Sequence, residues 1–365
     1  MNISIITGFL PTPLRGATKF GTSGGCTSEL LTELALPKDI AESIAKWGNM
    51  GISKKTWSTY KTAKVMLMKC ASETKVNMDL PMTTAKTLAF VDWLARVRKL
   101  KGATINSYLA GVRQLHVVRG LDPPVIRTGL VQLVLKGIAN NDGIEKRAKN
   151  WTGRLPMTKN TMLLFDTLIK KSDLSRQDKS LIWAVSTLAF AGAFRIHEIL
   201  SKLESTFDPN FTLLTEDVTF STTNAQTTMH VKLKCPKESK SATPTIVDIF
   251  ENNSPLCPIK AFKKWASRGP NDNGFPIFRL ESGTPLTGSK LNRIMKKLLG
   301  PYTNRTVGFF ATHSFRIGLA SMLGQAGFED QEIMASGRWS SRVFERYIKL
   351  ARTRRTAVLR KVSQL

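Results

Sequence analysis

His313-Ser314-Phe315-Arg316-Ile317-Gly318 and Gly337-Arg338-Trp339-Ser340-Ser341-Arg342-Val343-Phe344-Glu345-Arg346-Tyr347 are the two stretches from which the rest of the chain is read. In the first, His313 and Arg316 stand three apart, a spacing that puts both side chains on one face of a helix start. In the second, Tyr347 lies between Arg346 and Lys349 on what reads as a short helix. Nearby positive charge favours phenolate, which offsets an ordinary tyrosine pKa of about 10. Upstream, Ala191-Gly192-Ala193-Phe194-Arg195-Ile196-His197-Glu198 adds another arginine followed by a carboxylate. Separate elements that each bring a cation or a nucleophile suit phosphate chemistry. A phosphodiester under attack gathers charge on its non-bridging oxygens, and planar guanidinium groups hold such oxygens with paired hydrogen bonds.

The remaining composition points the same way. The formal net charge is +27, from 54 Lys and Arg against 27 Asp and Glu. That excess draws the chain to a polyanion through counterion release. The basic residues are spread along the whole length and not gathered on one amphipathic helix, which favours nucleic acid over a membrane surface. No apolar run reaches the roughly eighteen residues of a membrane span. The N-terminus lacks the basic region and small-residue cleavage site of a secretory signal, so an intracellular protein is expected. Cys26, Cys70, Cys235 and Cys257 have neither zinc-ligand spacing nor disulfide density, and reduced structural thiols are expected. There is no P-loop pattern and no carboxylate cluster suited to two metals, so no metal or nucleotide cofactor is expected.

With 365 residues the chain is long enough for two cores. Residues 1–36, rich in Gly, Ser, Thr and Pro, read as a flexible arm. Residues 37–148 show apolar positions at helical spacing (Val65, Met66, Met68; Leu88, Val91, Leu94; Ile105, Leu109, Val112, Leu115), with Ser53 or Thr56 as a cap. A break at Asp122-Pro123-Pro124 and a further helix through Leu130, Val134 and Ile138 make this a four- or five-helix domain. Residues 149–157, with Lys149, Gly153, Arg154 and Pro156, read as an exposed linker. Beyond it, helices are predicted near 160–169 and 179–191. Alternating strands follow at 211–220, 229–235 and 243–249, with a basic turn at Lys237–Ser241. Helices return at 258–266, 287–298 and 313–326, with several short ones after. The fold class is thus mainly α with a small antiparallel β-sheet.

The order Arg195, basic turn, His313-x-x-Arg316, Gly337-Arg338-Trp339, Tyr347 resembles the tyrosine recombinases. Their catalytic domain runs Arg, a lysine in a β-hairpin, His-x-x-Arg, Gly-His or Gly-Trp, then Tyr. The likeness spans about residues 158–350, and within the family the two opening strings look most like the recombinases of eukaryotic Crypton and DIRS-type transposons. The resemblance implies Tyr347 as nucleophile, with Arg195 and Arg316 on the phosphate. His313 would bond a phosphoryl oxygen or assist proton transfer. Glu198, in the family's acidic position, would orient the cations. A hairpin lysine would protonate the leaving 5′-hydroxyl, and Lys237 is the choice, with Lys240 and Lys234 open by spacing. The chain departs from the bacterial pattern at Arg338, where most members have histidine; Arg338 or the adjacent Trp339 could fill that role. His116, His197 and His230, and Tyr60, Tyr108 and Tyr302, are read as structural residues.

The resemblance implies that residues 37–148 clasp DNA as a core-binding domain and that residues 158–350 form the catalytic domain. The activity implied is cleavage and rejoining of double-stranded DNA through a 3′-phosphotyrosine link, in transposon excision and integration. It further implies a synaptic complex of four protomers, a tail at 351–365 that docks on a neighbour, and nuclear residence. Two competing readings are a type IB topoisomerase, which uses similar residues to nick and reseal one duplex, and a domesticated DNA-binding factor without catalysis.

Overall fold

In the first half of the chain, local sequence fixes where helices begin. The Ser53 hydroxyl accepts the Thr56 N–H at 3.1 Å and Thr83 accepts that of Lys86 at 3.3 Å, so each caps the helix that follows. The computed structural model describes residues 37–124, 126, 129–148, 153–234, 244–269, 272–303 and 308–346. By backbone contacts it divides into two compact units, Met1–Ala148 and Lys149–Leu365.

The first unit holds α1 (Lys38–Met50), α2 (Lys54–Thr74), α3 (Thr84–Asp92, running into a π-helical turn at Trp93–Val97), α4 (Gly102–Val118) and α5 (Gly129–Ala148). Leu67, Phe90, Trp93, Leu94, Ile105, Leu109 and Val112 form its core. The three-and-four spacing of these positions turns them to one side of each helix. His116 lies in this core as a structural residue. Its Nε2 accepts the Met82 N–H at 2.8 Å and its Nδ1 lies 2.8 Å from the Val112 carbonyl, an arrangement that requires the neutral ring with Nδ1–H donating.

The second unit begins with β1 (Gly153–Arg154), α6 (Lys159–Lys171), α7 (Arg176–Ala191) and α8 (Ile196–Ile199). The sheet follows as β2 (Val218–Thr223), β3 (Gln226–Leu233) and β4 (Thr245–Phe250), antiparallel in the order β2-β3-β4. Then come α9 (Pro258–Ala266), α10 (Gly288–Leu299), β5 (Gly308–Phe309), α11 (His313–Ala326) and α12 (Asp330–Gly337), with a 3-10 turn at Arg342–Arg346. The fold is mainly helical with one small antiparallel sheet. Helix α7 is buried from Leu181 to Phe190 apart from the half-buried Trp183, as its nearly unbroken apolar run requires, and packs against α9 and α11. Met229, Val231, Leu233 and Ile249 turn the inner face of the sheet onto the same core. A second cluster, Ala193, Leu319, Ala320, Ile333, Trp339 and Phe344, ties α11 and α12 to the end of α7.

Two expectations need correction. The first strand starts at Val218 and not at Phe211. The buried Asp217 carboxylate accepts the Leu214 N–H at 2.8 Å and pairs with Lys234 at 2.7 Å, closing a 3-10 turn at Thr215–Asp217 that overrides the local alternation. The segment expected as an exposed linker is built into the second unit from Gly153 onward. Gly153 and Arg154 pair in parallel with Gly308 and Phe309, and Met157 is fully buried. No helix among the described residues is long and apolar enough to cross a membrane. Cys70 and Cys257 are buried free thiols, while Cys26 and Cys235 lie outside the described residues.

Candidate active site

Two helix ends build the floor of the site, and both use the same local device. Helix α7 stops at Gly192-Ala193-Phe194 and α12 at Gly337-Arg338-Trp339. In each the middle residue is left-handed, Ala193 at φ 44° and Arg338 at φ 52°, and the aromatic ring folds back over the glycine. A Cβ on Gly192 would sit 2.1 Å from the Phe194 ring, and one on Gly337 would sit 1.8 Å from the Trp339 ring, so only glycine fits either position. Left-handed termination of a helix is common, but usually with glycine at the left-handed residue itself. A side chain there costs about 1 kcal/mol, which the packing around it must offset.

The two ends then interlock. The Arg338 guanidinium donates from Nη1 to the Gly192 carbonyl at 2.9 Å and from Nη2 to Glu198 Oε2 at 3.0 Å, and it lies over the Phe194 ring at 4.9 Å. Trp339 in turn covers the guanidinium of Arg316, 4.4 Å from the ring centroid. Arg316, on the first turn of α11 and 1% exposed, donates from Nη1 to the Ala193 carbonyl. Glu198 is the hub. It accepts the Arg195 backbone N–H at 2.9 Å, the Arg195 side chain at 3.1 Å and Arg338, so one nearly buried carboxylate orients two cations. Arg195 stands at the start of the four-residue helix α8 and keeps 26% of its side chain exposed.

His313 begins α11, on the same face as Arg316 and at the end of the helix where backbone N–H groups point outward and favour anions. The Thr312 N–H just before it donates to Asn292 Oδ1 at 2.8 Å, which fixes the entry to the helix. Burial first, then the positive fields of Arg154, Arg316 and Arg195, hold His313 at about 4, below its usual 6.5. The ring is therefore neutral near pH 7. Three arginines that all act on one histidine form a cationic recess able to hold a phosphate group.

The structure thus brings together Arg195, Glu198, His313, Arg316, Arg338 and Trp339. Between the two open candidates of the Gly-Arg-Trp string, Arg338 is bound to Glu198 and Gly192, whereas Trp339 lies against Arg316. Lys234 pairs with Asp217 and donates to the Pro209 carbonyl at 2.9 Å. Lys237, Lys240 and Tyr347 lie outside the described residues, as do residues 1–36 and the tail from 351. Among the described residues no group of three or more His, Cys, Asp or Glu side chains is placed to hold a metal ion.

No family model and no curated protein sequence matches the chain. Solved structures do. A XerH site-specific recombinase bound to palindromic difH substrate in a post-cleavage complex aligns with a TM-score of 0.56 and 14% identity, over 91% of this chain and 87% of that one. The Tn1549 transposon integrase in complex with circular intermediate DNA aligns at 0.53 and 14% identity, over 92% and 99%. A lambda integrase dimer bound to a COC′ core site aligns at 0.53 and 14%, over 85% and 75%. The chain has the tyrosine recombinase fold. On that fold, two residues of the recess were missed by reading the sequence. Phe194 supports Arg338 through its ring, and Arg154 projects its charge onto His313 from a two-residue strand. A strand so short has no period to recognise, and its partner is far along the chain.

Proposed function

We propose that this protein is a site-specific recombinase that cuts and rejoins double-stranded DNA, acting in transposon excision and integration as the motifs of Crypton and DIRS-type elements suggest. The observation that carries the reading is the meeting of Arg195 and Arg316, from separate elements, beside a neutral His313 at a helix N-terminus. In this reading the two guanidinium groups hold the non-bridging oxygens of the scissile phosphate. The Tyr347 oxygen attacks phosphorus, forming a 3′-phosphotyrosine bond as the bond to the 5′-oxygen breaks. The leaving oxygen takes a proton from a lysine of the β3–β4 connection, Lys237 by preference. His313, uncharged, bonds a phosphoryl oxygen or accepts the tyrosine proton. The released 5′-hydroxyl of a partner strand then attacks the phosphotyrosine, so bond energy is conserved and the scheme calls on no metal or nucleotide. Glu198 and Arg338 position Arg195, and Trp339 positions Arg316. Four protomers in a synapse and residence in the nucleus belong to the same proposal.

The test is covalent capture. Nicked suicide substrates, which lose the attacking strand after cleavage, should trap a denaturant-resistant protein–DNA adduct with the natural protein and none with Tyr347→Phe. Tight DNA binding without any adduct from the natural protein would overturn the enzymatic reading in favour of a binding protein. Exchange between two sites, set against relaxation of a supercoiled plasmid, separates recombinase from topoisomerase.

A further inference from the structure

We infer that Arg154, together with Lys296, forms a second phosphate subsite that binds the DNA backbone next to the scissile phosphate, on the His313 side of the recess. The inference rests on the proposed cleavage of DNA at that recess. Arg154 is exposed, yet its backbone is fixed. It pairs in parallel with Phe309, the Leu155 N–H donates to the Phe309 carbonyl at 2.9 Å, and the Met157 N–H donates to the Ser314 carbonyl at 2.9 Å. Those two acceptors flank His313, so the Arg154 backbone is anchored to the very segment that carries the histidine. Beside it opens a groove of about 560 Å³ whose wall includes Arg154, Asn292, Lys296, Phe309 and Ala311. Ala311 stands two residues before His313, and Asn292 holds the backbone of Thr312, so the groove runs up to the recess.

Charge selects the occupant. The groove carries two exposed cations and no carboxylate in its wall. Guanidinium and ammonium groups left to solvent along one groove suit successive phosphates of a nucleic-acid strand. The field of Arg154 reaches His313, which agrees with the strand pairing in placing the two side by side. Arg154 is assigned as a DNA-binding residue and not as a proton donor.

The test uses the full chain with duplex and suicide DNA. With Arg154→Ala, the slope of log binding constant against log salt concentration should become shallower by about 1, as for one lost phosphate contact. Adduct formation should slow by at least about 10-fold, and Arg154→Lys should restore part of it. A neutral methylphosphonate in place of the flanking phosphate should slow the natural protein by a similar factor and add little to Arg154→Ala. That substitution leaves the protein untouched and so reads the contact even where Arg154→Ala misfolds. An unchanged salt slope in Arg154→Ala, or a methylphosphonate penalty as large in Arg154→Ala as in the natural protein, overturns the subsite. Absence of any adduct from the natural protein, with the salt slope still reduced in Arg154→Ala, would leave the subsite standing and defeat only the cleavage reading.

Discussion

Glu198 shows how much of the site depends on single atoms. Its two oxygens serve the Arg195 backbone, the Arg195 side chain and Arg338, and its side chain is 8% exposed. Replacing the charge but not the shape, Glu198→Gln leaves two guanidinium groups with a weaker acceptor. Adduct formation should fall by about 10- to 100-fold, as for other residues that orient a reactive group, with the melting profile largely kept. A natural rate in that variant would show that Arg195 needs no such support. His313 gives a pH signature. Its folded value of about 4 lies below the unfolded value near 6.5, so between those pH values the unfolded state binds more protons. Stability is therefore constant above about pH 6.5, on account of this group, and declines as pH falls toward 4. His116, lowered by burial, adds to the same slope. Urea melts across that range should show the decline reduced in His313→Asn, and an unchanged slope would contradict the assignment.

At the scale of elements, the hairpin turn between β2 and β3 departs from the usual chemistry. Asn224 and Ala225 both have positive φ, 49° and 62°, the pattern of a two-residue turn that normally carries Asn-Gly. Ala225→Gly should relieve about 0.5–1 kcal/mol of strain net of the added unfolded-state entropy, raising the melting temperature by roughly 1–4 °C. Calorimetry showing a lower melting temperature would mean that the Ala225 methyl makes a contact worth more than its strain. The sheet's outer face is joined across all three strands by His230, which lies 2.7 Å from Ser221 Oγ and 2.7 Å from Asp248 Oδ1. His230 is thereby a structural residue of the element that leads to the lysine-bearing connection. Helix limits were read closely at Pro258–Ala266 and His313–Ala326. The strand onset was misread because a buried carboxylate, invisible in the alternation of Phe211 to Phe220, closes a turn there.

At the scale of the whole molecule, each unit has its own buried core, one around Trp93 and Leu109, the other around α7 and the sheet. Fragments 37–148 and 149–365 should therefore each unfold in a cooperative transition when made alone, followed by circular dichroism in urea. A featureless melt from either would mean that its core is insufficient by itself. The sequence by itself determined the mainly helical class, the small sheet, the basic character and the set Arg195, Glu198, His313, Arg316, Arg338, Trp339. The first three are matters of periodicity and composition, which act within a few residues of chain, while the set is what the likeness of its motifs to the tyrosine recombinases implies. Only the tertiary structure decided what the members do to one another. Arg338 turns to Glu198 and Gly192, Trp339 lies on Arg316, and Arg154 joins the recess from a stretch that reads as linker. Those outcomes depend on contacts between residues well apart in the chain, more than a hundred positions for Arg338 and for Arg154, and distance of that kind leaves no local pattern in a sequence.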